Sequence, residues 1–577
     1  MREYFEAEMR LLYDSAQEFA EAYPEQAGML NLSEVSDRDP YIERLLEGVA
    51  YLTAGIRKRI DDDIPEISEN LLAQLWPHFL RPYPSATIME FAARSGQLQQ
   101  SQVVEKETVM LSRPVGDEQV ICRFRSIADV TLSPVMVSSL TVLENNTGGT
   151  HIKLGLQADG GTDVESLDID SLRIHIHAEN SVALSVFHAM VAGVMEVKIS
   201  FPKQPELGAQ RIGGQEIVSP CFMDADESMI PLSGRSFYGF HLLHDYFSFR
   251  EKFLFFKVAA LDKIKWPEDC SDFEIDIKIN HQLPANHQLT KESFKLNCVP
   301  AVNLFESTSE PVYLSQKRHE YQVVADSAHR HGQDIYSVNE VNGSDVDTGD
   351  VTTYMPMYSF KHRTTTGAYF HFSRKDVGGE LPASFLAVGG KLDFRKEILS
   401  CDITATNANY PRRYLSENSI NTPTAGFPSY AYFRNITRPT KMLNPPVRAD
   451  YQWQLISHLS LNYSSLASAE SFKQLLTMYD WTEQLQNKKR IEGVKDIKVI
   501  PQDRVLKGAL MRGMEVVLDL SEDNYISFAD MYLFGQVVHH FLTLYTAINS
   551  FVATKIICHP SNQEFVWEPK LGVSYLI

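Results

Sequence analysis

Apolar side chains recur at alternating steps of four and three residues in three separate stretches of this chain. No other feature narrows its possible folds as much. Phe5, Met9, Leu12, Ala16, Phe19 and Tyr23 form the first run. Ile42, Leu45, Val49, Leu52 and Ile56 form the second, and Phe534, Val537, Phe541, Leu544, Ile548 and Phe551 the third. A mean period of 3.5 lines such residues up as one narrow stripe on a helix, the geometry by which helix packs on helix. A strand cannot use that spacing, because its faces alternate every second residue. One amphipathic helix normally packs inside its own chain. Three strict seams in separate helices predict that at least one packs between chains.

The punctuation supports helices at the N-terminal end. Pro24 stops the first run, and Asp39-Pro40 gives the second an N-cap with proline at the first helical position. Asp61, Asp62 and Asp63 precede Pro65, and a third helix carries Ile67, Leu71 and Leu75. Trp76-Pro77-His78-Phe79-Leu80-Arg81-Pro82-Tyr83-Pro84 cannot continue it. The texture from residue 86 to 450 is different. Short alternating runs such as Leu172, Ile174, Ile176 and Phe273, Ile275, Ile277, Ile279 are broken by glycine pairs and polar turns. Asn342 to Asp350 reads as a polar loop, and Tyr410 to Pro446 as a long irregular connection. Beyond Trp453 helix and strand mix: Ser471 to Leu485 reads as a helix, and Gly513 to Leu520 as a strand. The expected fold is α+β multidomain. It comprises a helical N-terminal bundle segment (1–85), a β-rich middle (86–330), a β-rich region with a long connection (331–450) and a mixed α/β C-terminal domain (451–577).

Charge and composition remove several functions. The chain of 577 residues carries a net charge of −20, and residues 1–90 hold 18 acidic against 8 basic side chains. Nucleic acid and anionic membrane both select for basic surface, so neither is expected as a partner. No run of about 18 apolar residues and no basic, apolar leader occurs, which predicts a cytoplasmic protein with no direct membrane insertion. The six cysteines, Cys122, Cys221, Cys270, Cys298, Cys401 and Cys558, form neither a disulfide framework nor a zinc motif.

The same holds for catalytic and metal signatures. His175 and His177 share one face of an expected strand, which predicts solvated side chains. His329 and His331 fall in a polar loop. His539 and His540 are adjacent on a helix and cannot both face one ion. Asp345-Val-Asp347-Thr-Gly349-Asp350 lacks the glycine position and the terminal glutamate of a calcium loop. No phosphate loop, nucleophile elbow or zincin motif is present. No catalytic, cofactor or metal residue is therefore expected. Three classes remain open on these grounds: an assembly protein, a hydrolase built on a His/Asp constellation in the β-rich middle, and a ligand-binding β-sandwich.

Longer stretches carry a resemblance. Tyr4-Phe5-Glu6-Ala7-Glu8-Met9, Glu18-Phe19-Ala20, Tyr23-Pro24, Asp39-Pro40-Tyr41-Ile42-Glu43-Arg44-Leu45, Asp61-Asp62-Asp63-Ile64-Pro65-Glu66 and Trp76 to Ser85 stand in order. So do Lys252 to Phe256, Tyr336 to Val341, Trp453 to Tyr463, Arg512 to Val516, Phe534-Gly535, Leu544-Tyr545 and Ile548 to Phe551. Together they resemble the TssF (VasA/ImpG) family, baseplate subunits of bacterial type VI secretion systems. Val538 to Phe541 and Ala325 to Arg330 depart from the family's pattern. The resemblance implies a non-enzymatic wedge subunit without cofactor, similar in role to wedge proteins of contractile phages. It implies two copies with one TssG, joined by TssK and TssE, beneath the sheath and tail tube and around the hub and spike. TssK would link that platform to the inner membrane. The expected interface residues are Phe5, Met9, Leu12, Phe19, Tyr23, Ile42, Leu45, Val49, Leu52, Ile56, Phe534, Val537, Phe541, Leu544, Ile548 and Phe551.

Overall fold

A computed structural model describes residues 2–22, 40–63, 65–144, 149–159, 162–232, 237–283, 289–357, 367–375, 377, 381–390, 396–446, 449–458, 468–506 and 509–572. The chain divides into two compact units: Met1–Leu75 with Pro446–Ser460, and Trp76–Pro445 with Leu461–Ile577.

The first unit is helical. The helix Arg2–Ala22 packs along the helix Pro40–Asp63, and the helix Pro65–Leu75 packs against the helix Ala449–His458. Leu72 and Leu455 are fully buried, and Gln452 donates from Nε2 to Glu69 Oε1 at 3.3 Å. The segment 449–458, which the sequence groups with the C-terminal domain, thus belongs to the N-terminal unit. Chain order hides that return, because 449–458 meets its packing partner across nearly four hundred residues.

The second unit is strand-rich. A six-stranded antiparallel sheet runs in the order 420–423, 109–112, 123–126, 298–302, 86–93, 431–435. A five-stranded sheet follows the order 210–213, 194–200, 272–279, 150–158, 135–144. A four-stranded one follows 218–220, 255–258, 172–176, 294–296. Asp272–Ile279 alternates half-buried and buried positions along its whole length, as its sequence requires. Phe305 to Thr406 builds an eight-stranded sheet around its own apolar core, which includes Leu314, Val341, Leu386, Leu399, Cys401 and Ile403. At the C-terminal end the hairpin Val494–Leu506/Ala509–Ser521 continues into a parallel pairing of 509–521 with 550–559. The helix Phe528–Tyr545 makes that crossover, as a parallel pair demands.

Several expectations are corrected. Tyr410–Pro446 is not an irregular connection. It holds a short helix, Tyr410–Tyr414, and both outermost strands of the six-stranded sheet. Their partners lie more than three hundred residues earlier, so no local pattern announces them. Ser471–Leu485 is not one helix. It breaks at Asp480, between helices Ala469–Tyr479 and Leu485–Glu492. Asn342–Asp350 is a hairpin, with the strand Asp334–Asp345 turning into Val351–Pro356. Asp345 Oδ1 closes the turn by accepting from the N–H groups of Asp347 and Thr348 at 2.8 and 2.9 Å. The last seam is shorter than its spacing suggests. The helix ends at Tyr545, Ile548 lies beyond it, and Phe551 sits in the strand Ser550–His559. Asn549, at φ +70°, has already left helical geometry.

Candidate assembly surface

The 40–63 helix buries its small residues and exposes its large ones. Ala50 and Ala54 are fully buried, and Leu46 and Thr53 beside them are half-buried. Thr53 Oγ1 donates to the carbonyl of Val49 at 2.7 Å, so its hydroxyl is satisfied within the helix. Leu45, Leu52 and Ile56 are 67, 67 and 59% exposed, and Val49 is 39% exposed. At 100° per residue these four side chains centre about 150° around the helix from the buried alanine face. The seam spacing therefore marks an outward stripe, while the fully buried positions of the helix are alanines.

On the 2–22 helix Met9 is buried, and Phe5 and Leu12 are half-buried. This part of the seam faces inward within the unit. Glu8 is buried next to Met9. The side chains of Phe19 and Ile42 and the whole of Tyr23 fall outside the described residues. Tyr51, 62% exposed, and Leu11, 55% exposed, add apolar surface that the seam pattern misses, because neither falls on the 3.5-residue stripe. Only a count of exposed apolar residues off the seam would have found them.

The third seam is corrected as a surface. Phe534, Val537, Phe541 and Phe551 are at most 1% exposed, inside the core of the second unit. Phe541 packs against Phe237 and Phe240 with ring centroids 6.1 Å away in each case. Leu544 and Ile548 are half-buried. A helix that crosses over between parallel strands is covered on its inner side by the sheet it serves, so regular spacing here records intramolecular packing.

The buried carboxylates of Asp245, Asp334 and Asp530 in the second unit are ion-paired within the fold, whereas both ring nitrogens of His241 and of His244 are buried without a hydrogen-bond partner. Asp245 accepts from Lys252 Nζ at 2.5 Å and from the hydroxyl of Tyr83 at 3.0 Å, and Lys252 and Asp245 are fully buried. His78, His241 and His244 line the same region, with the rings of His78 and His241 4.0 Å apart and His244 4.1 Å from Trp481. Burial, then the neighbouring Lys252 charge, lowers His241 to about 3. Burial, then His241, lowers His244 to about 3. His175 is buried rather than solvated, against the sequence expectation. It packs on Phe255 at 4.4 Å and lies 3.2 Å from the carbonyl of Leu254. At His175 both faces of the strand are covered, which alternation alone cannot reveal. His539 meets Thr554 Oγ1 at 2.9 Å, and His329 meets Asp326 at 2.7 Å. Among the described residues no group of three or more His, Cys, Asp or Glu side chains is placed to hold a metal ion. No described helix is long and apolar enough to cross a membrane.

The helical unit carries an outward apolar stripe, and the strand-rich unit ion-pairs the buried carboxylates of Asp245 and Asp530 internally. The profile described as "Type VI secretion system, TssF" matches residues 1–574, and the chain belongs to that family, a structural baseplate component of the type VI secretion system and not a known enzyme family. It is 26% identical to the type VI secretion system component TssF1 of Pseudomonas aeruginosa strain PAO1, over 99% of this chain and 98% of that protein. It is similar to a chain of a TssK-TssF-TssG baseplate subcomplex determined by cryo-electron microscopy, with a TM-score of 0.78 and 29% identity. That match covers 91% of this chain and 98% of the other. A likeness at TM-score 0.65 and 24% identity, covering 99% of both chains, joins it in fold to a chain of the baseplate complex from the type VI secretion system.

Proposed function

We propose that this chain is a wedge subunit of a type VI secretion baseplate. Two copies associate with one TssG, and TssK and TssE join them. The assembly is the platform for sheath and tail tube on the cytoplasmic side of the inner membrane, and hub and spike are met indirectly. The likeness to a chain of the TssK-TssF-TssG subcomplex supports the partners. The domain plan behind this reading is a helical assembly unit and a strand-rich body.

The observation that carries the proposal is the exposed stripe Leu45, Val49, Leu52 and Ile56. Burial of a large apolar side chain contributes roughly 1.5–3 kcal/mol, so four in one stripe would dominate an interface. The acidic excess of residues 1–90, 18 acidic against 8 basic side chains, sets specificity and encounter rate, so assembly weakens as salt rises. Of the residues expected to form the interface, these four are the ones now proposed. Replacing Leu45, Leu52 and Ile56 together by Asp should abolish co-purification with co-expressed TssG while leaving the far-ultraviolet circular dichroism unchanged. Full retention of TssG by the folded triple variant would defeat the proposal.

A further inference from the structure

We propose that the outer face of the eight-stranded sheet docks a cationic protein segment that carries apolar side chains. The inner face of this sheet lines the core through Val312, Leu314, Val341 and Leu399. Alternation sends their neighbours outward. The register places Tyr313 opposite Ile398, Ile398 opposite Ser344, and Ser344 opposite Val351, in one row across four strands. Tyr313, Ile398 and Val351 are 51, 43 and 67% exposed, so the row is apolar apart from one serine and open to solvent. Strands about 4.8 Å apart make it roughly 15 Å long. Single exposed apolar residues are ordinary, but an aligned cross-strand row is a contact surface.

The surroundings of the row select its occupant. Asp347 and Asp350 lie in the turn beyond it, and Glu306, Glu340 and Asp402 lie farther along the same sheet. All five carboxylates are exposed, and among the described residues none of them is in an ion pair. Hydrogen bonds hold several in place: Glu306 accepts from Asn339 and Thr404, Glu340 from Asn342, and Asp350 from Thr348. Lys396 is the one described cation beside the row. An apolar centre with an anionic rim complements a basic segment with apolar side chains, and it repels nucleic acid and anionic lipid. This face belongs to the second unit and the helical stripe to the first, so the two proposals stand or fall separately.

The test uses the full chain and three short labelled peptides, alternating Lys/Leu, Lys/Ser and Glu/Leu, with binding read by fluorescence anisotropy. Lys/Leu should bind at least about tenfold more tightly than either other peptide. Its affinity should fall about tenfold in Tyr313→Ser/Ile398→Ser and in Glu340→Lys/Asp402→Lys. It should persist in Asp262→Lys/Glu268→Lys, which makes the same charge change at exposed positions elsewhere. Absence of Lys/Leu binding, equal binding of Lys/Ser, or equal loss in the distant charge variant would each overturn the proposal. So would unchanged affinity in both face variants, with folding of every variant verified by circular dichroism.

Discussion

Arg490 and Asp530 form an ion pair sealed from solvent: Nε of the arginine donates to Oδ2 at 3.0 Å, and the side chains are 2% and 0% exposed. Arg250 adds a second guanidinium to the same carboxylate, and Asn487 accepts from Arg490 Nη1 at 2.9 Å. Burial alone would raise the Asp530 carboxyl, but the charges of Arg250 and then Arg490 outweigh it and hold the group below its usual range. The cluster pins the helix Leu485–Glu492 to the start of the helix Phe528–Tyr545.

Removing one partner leaves buried charge uncompensated, which costs about 3–5 kcal/mol. Asp530→Ala should therefore lower the urea midpoint of the second unit far more than Asp503→Ala, whose exposed partner Arg512 is 3.8 Å away. Surface pairs of that kind contribute about 0–1 kcal/mol. Equal effects of the two substitutions would refute the structural role of the cluster.

The buried histidines predict acid sensitivity. His241 and His244 stay neutral in the fold until about pH 3, while unfolded imidazoles take up protons below about 6.5. The unfolded state then binds more protons between those values, so stability is intact above about 6.5 and falls as pH drops toward 3. The slope limit is about 1.4 kcal/mol per pH unit for each histidine. Urea midpoints of the wild type and of His241→Phe/His244→Phe, measured from pH 7 to 4.5, should show a shallower acid decline in the variant. Parallel curves would contradict this account.

Two helical glycines should respond in opposite directions. A Cβ on Gly535 would lie 2.3 Å from Trp567 Cη2 and 2.4 Å from Ile556 Cδ1, both on strands beneath the helix. Overpacking of that kind costs about 1–3 kcal/mol, which exceeds the gain of about 1 kcal/mol from replacing a helical glycine by alanine. Gly48 on the 40–63 helix has nothing within 4 Å of such a Cβ. Thermal unfolding should thus show Gly535→Ala destabilised and Gly48→Ala stabilised by up to about 1 kcal/mol.

The sequence carried the helices and the family further than the sheets. Asp39-Pro40 and the regular seam place the 40–63 helix because capping and helical periodicity are local properties. Which side of that helix packs was not legible. Ala50 and Ala54 weigh little in any hydrophobic pattern, yet they are the fully buried positions, and Leu45 and Leu52 are exposed. His175 looked solvated because alternation assumes one wet face, and at His175 that face is covered. The outer row from Tyr313 to Val351 needed strand register, which joins residues up to 85 positions apart in the chain. The short strands Ile420–Pro423 and Ala431–Asn435 were unreadable for the same reason.

The central claim is that this chain enters a wedge through its helical unit. The most direct test is the native mass of the full chain co-expressed with TssG, for the wild type and for Leu45→Asp/Leu52→Asp/Ile56→Asp. The account predicts a complex of two copies with one TssG for the wild type, and no stable complex for the variant. A wild type that fails to associate with TssG, or a folded variant with the same complex mass, would contradict it.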